Sequence, residues 1–410
     1  MAKTLMAVDA GTGSVRAVLF SLEGEQLGCV QQEWTHREDP RYPGSMDFDW
    51  VHNWDLARGC IRGVIEQTGV DPHDIAAVST TCMREGIVLY DKDGQEIWAC
   101  ANVDARSDDE VAQLVHMNPE LEKQIYRESG QTYALGALPR LFWVKNKMPE
   151  VYEKTAMCTM FNDWLIYKMT GVFSSEPSNA CTTGIFDLKA RDWDDQIAAS
   201  IGLKTGIFPK ISECGTVVAQ VGAKGAEETG LAEGTPVVAG GGDAQLGCVG
   251  VGVVDANQAA IFGGSFWQYE YNTDEAKTDE HCRVRVNCHS VPGIWQYEAL
   301  AFKPGMVMRW YRDAFCQYEK ELSKTTGRDP YDLMNEKAKD IPAGCYGMMC
   351  AFSDVMNYIS WRHASPMFIN FDFDPDKFNR YTFYRAIMEN TAMVTYGHMQ
   401  LVRESTGNIP

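Results

Sequence analysis

The sequence lacks the features that mark membrane proteins, secreted proteins and nucleic-acid-binding proteins. No apolar run approaches the roughly 18 residues that a membrane-spanning helix needs. The first ten residues carry Lys3 and Asp9 around a short apolar stretch, which predicts a first strand rather than a signal peptide. The formal net charge of −19 disfavours nucleic acid as a partner, because an acidic surface repels phosphodiester backbones. A nucleotide substrate is still allowed, since backbone amides and Mg²⁺ can hold its phosphates.

The sequence also lacks zinc-binding cysteine motifs and the Walker A motif of P-loop nucleotide-binding proteins. The 13 cysteines form no CxxC pair and no Cys/His cluster at zinc spacing. Their odd number, without an export signal, predicts reduced thiols in a cytoplasmic protein. No Walker A sequence occurs, so a P-loop site for ATP is not expected.

The 410 residues are too many for one compact core, and the usual domain size predicts two or three domains. Strand patterns mixed with amphipathic helices indicate an α/β protein. Strands are predicted at residues 5–8, 15–20, 26–34, 75–80 and 236–239. Asp49 is expected to cap a helix, and Ser107 with Glu110 is expected to form a capping box for a later one. A mainly helical section is predicted at about residues 135–230, with Trp143 and Trp164 in the core.

The first cluster with chemical meaning is the turn between the first two predicted strands. It reads Asp9-Ala-Gly11-Thr12-Gly13-Ser14-Val-Arg16. Backbone N–H groups, hydroxyls and a guanidinium in one turn can cradle a phosphate, and Asp9 can hold Mg²⁺ or its waters. A dinucleotide fingerprint is excluded, because Arg16 replaces the third glycine and a strand follows instead of a helix. The alternative is an ordinary hairpin turn.

The second cluster, Gly240-Gly-Gly-Asp243-Ala-Gln245, follows the strand predicted at 236–239. An aspartate that glycines deliver from a buried strand to the start of a helix is well placed to accept a hydroxyl proton. General-base assistance of this kind is worth about 10²–10⁴ in rate. The alternative is an aspartate that merely caps a helix after a glycine loop.

The third cluster is Arg84-Glu85, with Asp104 and Arg106 downstream. Adjacent charges of opposite sign at the end of a strand can donate and accept hydrogen bonds with the vicinal hydroxyls of a polyol. The alternative is a surface ion pair, which would contribute little.

A third glycine-rich turn, Gly263-Gly264-Ser265, lies inside a strand-like stretch at 259–271. The strand–turn–strand pattern at the start of the chain therefore recurs near residue 260. This weak repeat suggests two related domains that meet near residue 250.

Taken together, these clusters resemble the FGGY carbohydrate kinases. The shared patterns are DxGTxSxR at 9–16, MRE at 83–85, SNACTT at 178–183, GGGD at 240–243, GGSF at 263–266 and the late helix at 384–389. The resemblance covers essentially the whole chain. It implies an α/β fold of two ribonuclease H-like domains, the actin and sugar-kinase superfold, around an interdomain cleft. Residues 1–250 would form the N-terminal domain, and residues 251–410 would form a partial C-terminal domain on the nucleotide side.

The resemblance also implies roles for individual residues. Asp243 matches the catalytic base, and Asp9 matches the position that holds Mg²⁺ through water. The first phosphate turn comprises Gly11, Thr12, Gly13, Ser14 and Arg16, the second comprises Gly263, Gly264 and Ser265, and the substrate-hydroxyl contacts are Arg84, Glu85, Asp104 and Gln245. The chain departs from the family where Arg140 replaces a lysine and where Gly263-Gly264 precede Ser265. Val103 stands where glycerol kinases set a tryptophan against their substrate, which argues against glycerol.

The implied reaction is ATP-dependent phosphorylation of a terminal hydroxyl on a small, linear polyhydroxy carbonyl compound. A xylulose-type ketose is the alternative substrate. The family continues beyond the point that corresponds to Asn408-Ile-Pro410, with a strand, a glycine-rich adenine loop and closing helices, so the second domain is expected to be incomplete. This expectation motivates a different alternative, an inactive sugar-binding fragment. An actin-like or chaperone ATPase would share the fold but would not explain Arg84-Glu85 or the GGGD turn.

Overall fold

The structure is a computed structural model that describes residues 3–134, 136–264, 266–301, 303–353, 355 and 366–407. The chain forms two compact units. The first contains Met1–Asp255, Asp274–Thr278 and Val286–Gln296, and the second contains Ala256–Thr273, Asp279–Arg285 and Tyr297–Pro410. Two short segments thus belong to the first unit although they follow the start of the second.

Strands and helices alternate along the chain. The strands are β1 (Thr4–Ala10), β2 (Ser14–Ser21), β3 (Gln26–Glu33), β4 (Ile75–Cys82), β5 (Ile87–Tyr90), β6 (Glu96–Cys100), β7 (Met157–Met160), β8 (Phe186–Asp187), β9 (Asp192–Trp193), β10 (Val217–Gln220), β11 (Pro236–Gly242), β12 (Ala259–Gly263), β13 (Trp267–Thr273), β14 (Arg285–Cys288), β15 (Trp295–Ala301), β16 (Met349–Ala351) and β17 (Met367–Ile369). The helices are α1 (Trp50–Thr68), α2 (Asp108–Met117), α3 (Leu121–Ser129), α4 (Ala137–Lys147), α5 (Pro149–Lys154), α6 (Phe161–Thr170), α7 (Pro177–Ala180), α8 (Asp195–Ser200), α9 (Ala223–Thr229), α10 (Asp243–Gly250), α11 (Pro304–Phe315), α12 (Gln317–Thr326), α13 (Pro330–Ala338) and α14 (Arg380–Thr406). The strands predicted at 5–8, 15–20, 26–34, 75–80 and 236–239 are confirmed as β1, β2, β3, β4 and β11.

The central sheet of the first unit has the strand order β10–β11–β4–β1–β2–β3. β1, β4 and β11 run parallel, whereas β2, β3 and β10 pair antiparallel with their neighbours. The pairing register sets Ala10, Cys82 and Gly242 side by side at the carboxyl ends of the three parallel strands. The segments that follow these strands therefore leave the sheet at a common edge.

Helix α1 covers this sheet because its sequence is apolar on one face. As predicted, the Asp49 side chain caps the helix by accepting a hydrogen bond from the His52 backbone N–H. The buried face includes Trp54, Ile61 and Val64. Burial of each such side chain stabilises the fold by roughly 1.5–3 kcal/mol.

The predicted helical stretch after residue 135 is confirmed, and Trp143 and Trp164 are buried in its packing. The predicted capping box at the start of α2 is wrong. Ser107 is the N-cap residue, but its side chain makes no capping hydrogen bond. The Glu110 side chain is fully buried instead, with Oε1 4.0 Å from Lys147 Nζ, so it does not reach back to the helix start.

In the second unit, β12 and β13 form an antiparallel hairpin with Gly263 opposite Trp267. The corresponding sheet has the order β12–β13–β15–β14. Helices α11, α13 and α14 enclose a core in which Tyr311 donates a hydrogen bond to the Arg380 carbonyl at 2.8 Å. Among the described residues, no helix is both long and apolar enough to cross a membrane.

Candidate active site

Three of the predicted site residues meet where the parallel strands of the first unit end. Asp9 lies on β1, Arg84 follows β4, and Asp243 opens α10 directly after β11. Arg84 Nε lies 3.4 Å from Asp243 Oδ1, and the Arg84 side chain is only 5% exposed. The Asp243 side chain is 52% exposed. A buried guanidinium thus faces a carboxylate that solvent, or a substrate, can reach.

The glycines before Asp243 are required by the close approach of β11 to its neighbours. A Cβ atom on Gly240 would lie 1.5 Å from the Thr80 carbonyl oxygen on β4. A Cβ atom on Gly242 would lie 2.8 Å from Cδ of Arg84. Any larger residue would push the strand away, so the glycine run brings Arg84 and Asp243 together.

The surroundings of Asp243 favour the neutral form of its carboxyl group. Desolvation raises the pKa of Asp243 to about 6, while the Arg84 charge and the Ala244 backbone N–H oppose the rise. The charges of Glu85 and Asp9 also contribute to this raised pKa. Many protein atoms lie close to the Asp243 carboxyl group, which accounts for the desolvation, although about half of the side-chain surface is still exposed to solvent. A carboxylate with a pKa close to neutrality is suited to act as a general base.

The turn between β1 and β2 presents hydrogen-bond donors to its surroundings. The carbonyl of Gly11 accepts from Trp34 Nε1 at 2.9 Å, and the carbonyl of Thr12 lies 2.8 Å from His36 Nε2. The backbone N–H groups of Thr12 and Gly13 have no partner within the described ranges. Because the carbonyls are tied to the protein and the N–H groups are not, the turn is suited to bind an anion.

Three residues that no sequence pattern indicated support this turn, namely Trp34, His36 and Asn102. Asn102 Nδ2 donates to Thr12 Oγ1 at 3.0 Å. Burial lowers the pKa of His36, which favours a neutral ring that donates from Nε2 to the Thr12 carbonyl. These residues lie up to 90 positions from the turn, and nothing in their local sequence indicates the contact.

Asp9 has one carboxylate oxygen, Oδ1, that could bind a metal ion or its waters. Arg16 contacts Asp9 Oδ2 through Nε at 2.9 Å and through Nη2 at 2.7 Å. Oδ1 has no hydrogen bond among the described residues. No group of three or more metal-ligating side chains occurs in the described parts of the chain. A single carboxylate oxygen fits Mg²⁺, which keeps several waters and takes its other ligands from substrate phosphates.

Glu85 lies beside Asp243 in a strained backbone conformation. Its φ of 67° is in the left-handed region, which costs a non-glycine residue about 1 kcal/mol or more. Gly86 follows because a Cβ atom there would lie 2.2 Å from the Phe161 ring. The loop after β4 is therefore held in one conformation by packing, and this fixes both predicted substrate contacts, Arg84 and Glu85.

Asp104 and Gln245 lie in the interior and already have protein partners. Asp104 Oδ2 accepts from the Met46 backbone N–H at 2.6 Å and from Arg106 Nε at 2.8 Å. Gln245 Nε2 donates to Gln296 Oε1 at 2.8 Å. Substrate contact by Asp104 and Gln245 stays a prediction.

Arg140 joins the two loops that carry the predicted substrate contacts. Its guanidinium is buried in α4 and donates to the carbonyl of Glu85. It also donates to the carbonyls of Asn102 at 2.7 Å and Asp104 at 2.9 Å. In the sequence, Arg140 stands out only as a departure from the family, although an arginine among apolar residues of a helix is a signal for such a role.

The second predicted phosphate turn lies at the end of β12. The backbone N–H of Gly264 donates to the Phe266 carbonyl at 2.8 Å, and both Gly263 and Gly264 are exposed. Ser265 lies outside the described residues. The hairpin that the sequence predicts here is confirmed, and the phosphate contact of its glycines stays a prediction.

Comparison with known proteins identifies relatives over most of the chain. Residues 4–250 match the N-terminal domain of the FGGY family of carbohydrate kinases. The autoinducer-2 kinase of Salmonella paratyphi B is 46% identical over 404 residues, which cover 98% of this chain and 76% of that protein. The autoinducer-2 kinase of Escherichia coli K12 is 47% identical over 401 residues, with the same coverage.

Solved structures share the fold at lower identity. The xylulose kinase of Rhodospirillum rubrum superposes with a TM-score of 0.84 at 21% identity, covering 98% of this chain and 80% of that one. The glycerol kinase of Plasmodium falciparum, solved with ADP, superposes with a TM-score of 0.83 at 17% identity and covers 100% and 80%. At these identities the superpositions establish a common fold and leave the substrate open.

Proposed function

The chain belongs to the FGGY family of carbohydrate kinases and has the predicted α/β sugar-kinase fold, and we propose that it transfers the γ-phosphoryl group of ATP to the terminal hydroxyl of 4,5-dihydroxypentane-2,3-dione, the linear precursor of autoinducer-2. The observation that carries this proposal is the 46–47% identity to autoinducer-2 kinases over 98% of the chain. The same identity argues against an inactive sugar-binding fragment, which the comparisons do not support.

In the proposed reaction, Asp243 accepts the proton of the terminal hydroxyl as its oxygen forms a bond to phosphorus and ADP leaves. Arg84 and Glu85 hold the neighbouring oxygens of the substrate, and the turn between β1 and β2 binds phosphate through its free N–H groups. Mg²⁺, when bound by Asp9 through water, supplies positive charge that offsets the charge of the phosphates. Catalysis of this kind depends mostly on positioning and on stabilisation of charge.

Val103 supports a substrate other than glycerol. The side chain is 41% exposed and follows Asn102, which contacts the turn between β1 and β2. A branched aliphatic side chain leaves more room than a tryptophan and has no flat face to pack along a three-carbon chain. A xylulose-type ketose is the second candidate, because the polar side chains of Arg84, Glu85 and Asp243 would serve either substrate.

The substrate is tested by offering the dione, xylulose and glycerol side by side to the purified protein with MgATP. We expect kcat/KM for the dione to exceed the other two values by at least about tenfold, the discrimination that a difference of about 1.4 kcal/mol provides. Asp243→Asn serves as the blank for contaminating kinases. A higher kcat/KM for xylulose would contradict the assignment of the dione and leave the kinase family intact.

The pKa of Asp243 sets an expected pH dependence. The base must be ionised to accept a proton, so kcat should fall as the pH falls through about 6, by up to tenfold per pH unit below that point. The measurement is kcat at saturating substrate between pH 5 and 8, with circular dichroism at each pH to show that the protein stays folded. A profile that is flat from pH 5 to 7 would argue against Asp243 as the base.

A further inference from the structure

The motif at residues 178–183 has no part in the proposed chemistry, yet the structure connects its first residue to the active site. Ser178 belongs to α7, which begins after Glu176. The Ser178 hydroxyl oxygen lies 2.9 Å from the backbone nitrogen of Gly242, the residue immediately before Asp243. It also lies 2.7 Å from Glu176 Oε2. All three residues are buried.

The direction of these hydrogen bonds follows from the chemistry of the groups. A backbone N–H can only donate, so the Ser178 oxygen accepts from Gly242. The single hydroxyl proton of Ser178 must then be donated to Glu176 Oε2. A hydroxyl that donates to a charged acceptor becomes a better acceptor itself, so the two bonds reinforce each other. The carboxylate of Glu176 is thereby connected to the Gly241–Gly242 peptide group, one peptide bond before Asp243.

Glu176 has donors for both of its oxygens. The backbone N–H groups of Ser178 and Asn179 donate to it at 2.6 and 2.9 Å. Asn162 Nδ2 lies 3.4 Å from Oε1, and Cys214 Sγ lies 3.2 Å from Oε2. Burial raises the pKa of Glu176, and the hydrogen bonds from Ser178, Cys214 and Asn179 oppose this. A buried carboxylate with this many donors is a fixed anchor rather than a mobile charge.

The strand end beside this anchor has little freedom to move. The carbonyl of Gly241 accepts from Thr81 Oγ1 at 2.9 Å. A Cβ atom on Gly241 would lie 3.0 Å from the Ser178 oxygen and 2.6 Å from Ser290 Oγ. Hydroxyl groups therefore surround Gly241. Thr81 and Ser178 bind the carbonyl and the N–H of the same peptide group, the one between Gly241 and Gly242, and so fix its orientation.

We infer that Ser178 and Glu176 are positioning residues for the catalytic base. Neither contacts Asp243, and they act through the Gly241–Gly242 peptide group, which fixes the backbone from which the Asp243 side chain projects. The inference rests on the proposed function, since it assigns the residues that orient the base of that reaction. A misplacement of about 1 Å in such a site can lower the rate about 10²-fold.

The test compares Ser178→Ala with Ser174→Ala. Ser174 is a matched control, because its hydroxyl is also buried, four residues before Ser178, but has no hydrogen-bond partner in the described part of the chain. Ser178→Ala is expected to lower kcat by about 10- to 100-fold and to change KM for the dione less than threefold. Ser174→Ala should leave both parameters within about twofold of the parent protein. Glu176→Gln should show the same pattern as Ser178→Ala. Both carboxylate oxygens of Glu176 accept hydrogen bonds, so the glutamine NH₂ group would face a donor in either orientation of the amide.

Hydrogen exchange of the peptide that contains residues 240–243 gives a readout independent of activity. Exchange should be faster in Ser178→Ala than in Ser174→Ala. Normal kcat in Ser178→Ala and Glu176→Gln, with or without faster exchange, would overturn the inference and leave the proposed function standing. A folded parent protein that phosphorylates neither the dione nor xylulose would overturn the proposed function instead.

Discussion

Replacing Asp243 with asparagine should lower kcat by about 10²–10⁴-fold, because the amide cannot accept the hydroxyl proton. KM for the dione should change much less, since asparagine has nearly the same size as aspartate and Arg84 stays in place. The measurement is steady-state phosphoryl transfer with the preferred substrate.

The same variant should not lose thermal stability. The folded site raises the pKa of Asp243 to about 6, so the ionised carboxylate opposes folding above that pH. Asp243→Asn removes this charge and should therefore melt no lower than the parent at pH 7.5.

The matched control for this variant is Asp108→Asn. Asp108 is the first residue of α2, just as Asp243 is the first residue of α10, and it is exposed. The same chemical change at a second helix start shows how much of any effect comes from the helix end alone. Turnover by Asp243→Asn within a few-fold of the parent would mean that another group accepts the proton.

Replacing Arg140 with methionine should lower the free energy of unfolding by about 3 kcal/mol or more. The change leaves three buried carbonyls, those of Glu85, Asn102 and Asp104, without their charged donor, and each loss costs about 1–3 kcal/mol. KM for the dione should rise as well, because the loop that carries Arg84 and Glu85 loses its hydrogen bond to Arg140. Urea unfolding and KM measurements test the two effects.

Arg62→Met is the control for Arg140→Met. Arg62 also donates to backbone carbonyls, those of Glu227 and Glu228, but it does so on an exposed face of α1 where water can replace it. Its loss should cost about 1 kcal/mol or less. Arg140→Lys keeps the charge but not the fork of donors, so it should fall between parent and methionine variant. Equal costs at positions 140 and 62 would remove the case for Arg140 as the link between the two loops.

Local sequence patterns were sufficient to predict the elements that carry the site. The alternation of apolar residues placed β1, β2 and β4, and the glycine runs located the turns at residues 11–14 and 240–242. These features depend on neighbours within a few positions. The meeting of Arg84 and Asp243 also followed, but only from the family resemblance.

What could not be predicted depends on residues far apart in the chain. Ser178 and Gly242 are 64 positions apart, and no local pattern pairs a serine with a backbone N–H at that distance. The burial of Asp104 and Gln245 is equally a result of tertiary packing. The capping box failed for the same reason, because the surrounding helices draw Glu110 into the interior.

The position of β4 between β1 and β11 affects how the protein forms during synthesis. Thr81 on β4 and Gly241 on β11 are 160 residues apart in sequence. At about 5–20 residues per second, the ribosome needs roughly 8–32 seconds to make that stretch. During this interval β4 has β1 as its neighbour on one side and an open edge on the other, and such an edge can pair with a second chain. The strand that delivers Asp243, the proposed base, is therefore also the one that closes the nascent sheet against aggregation.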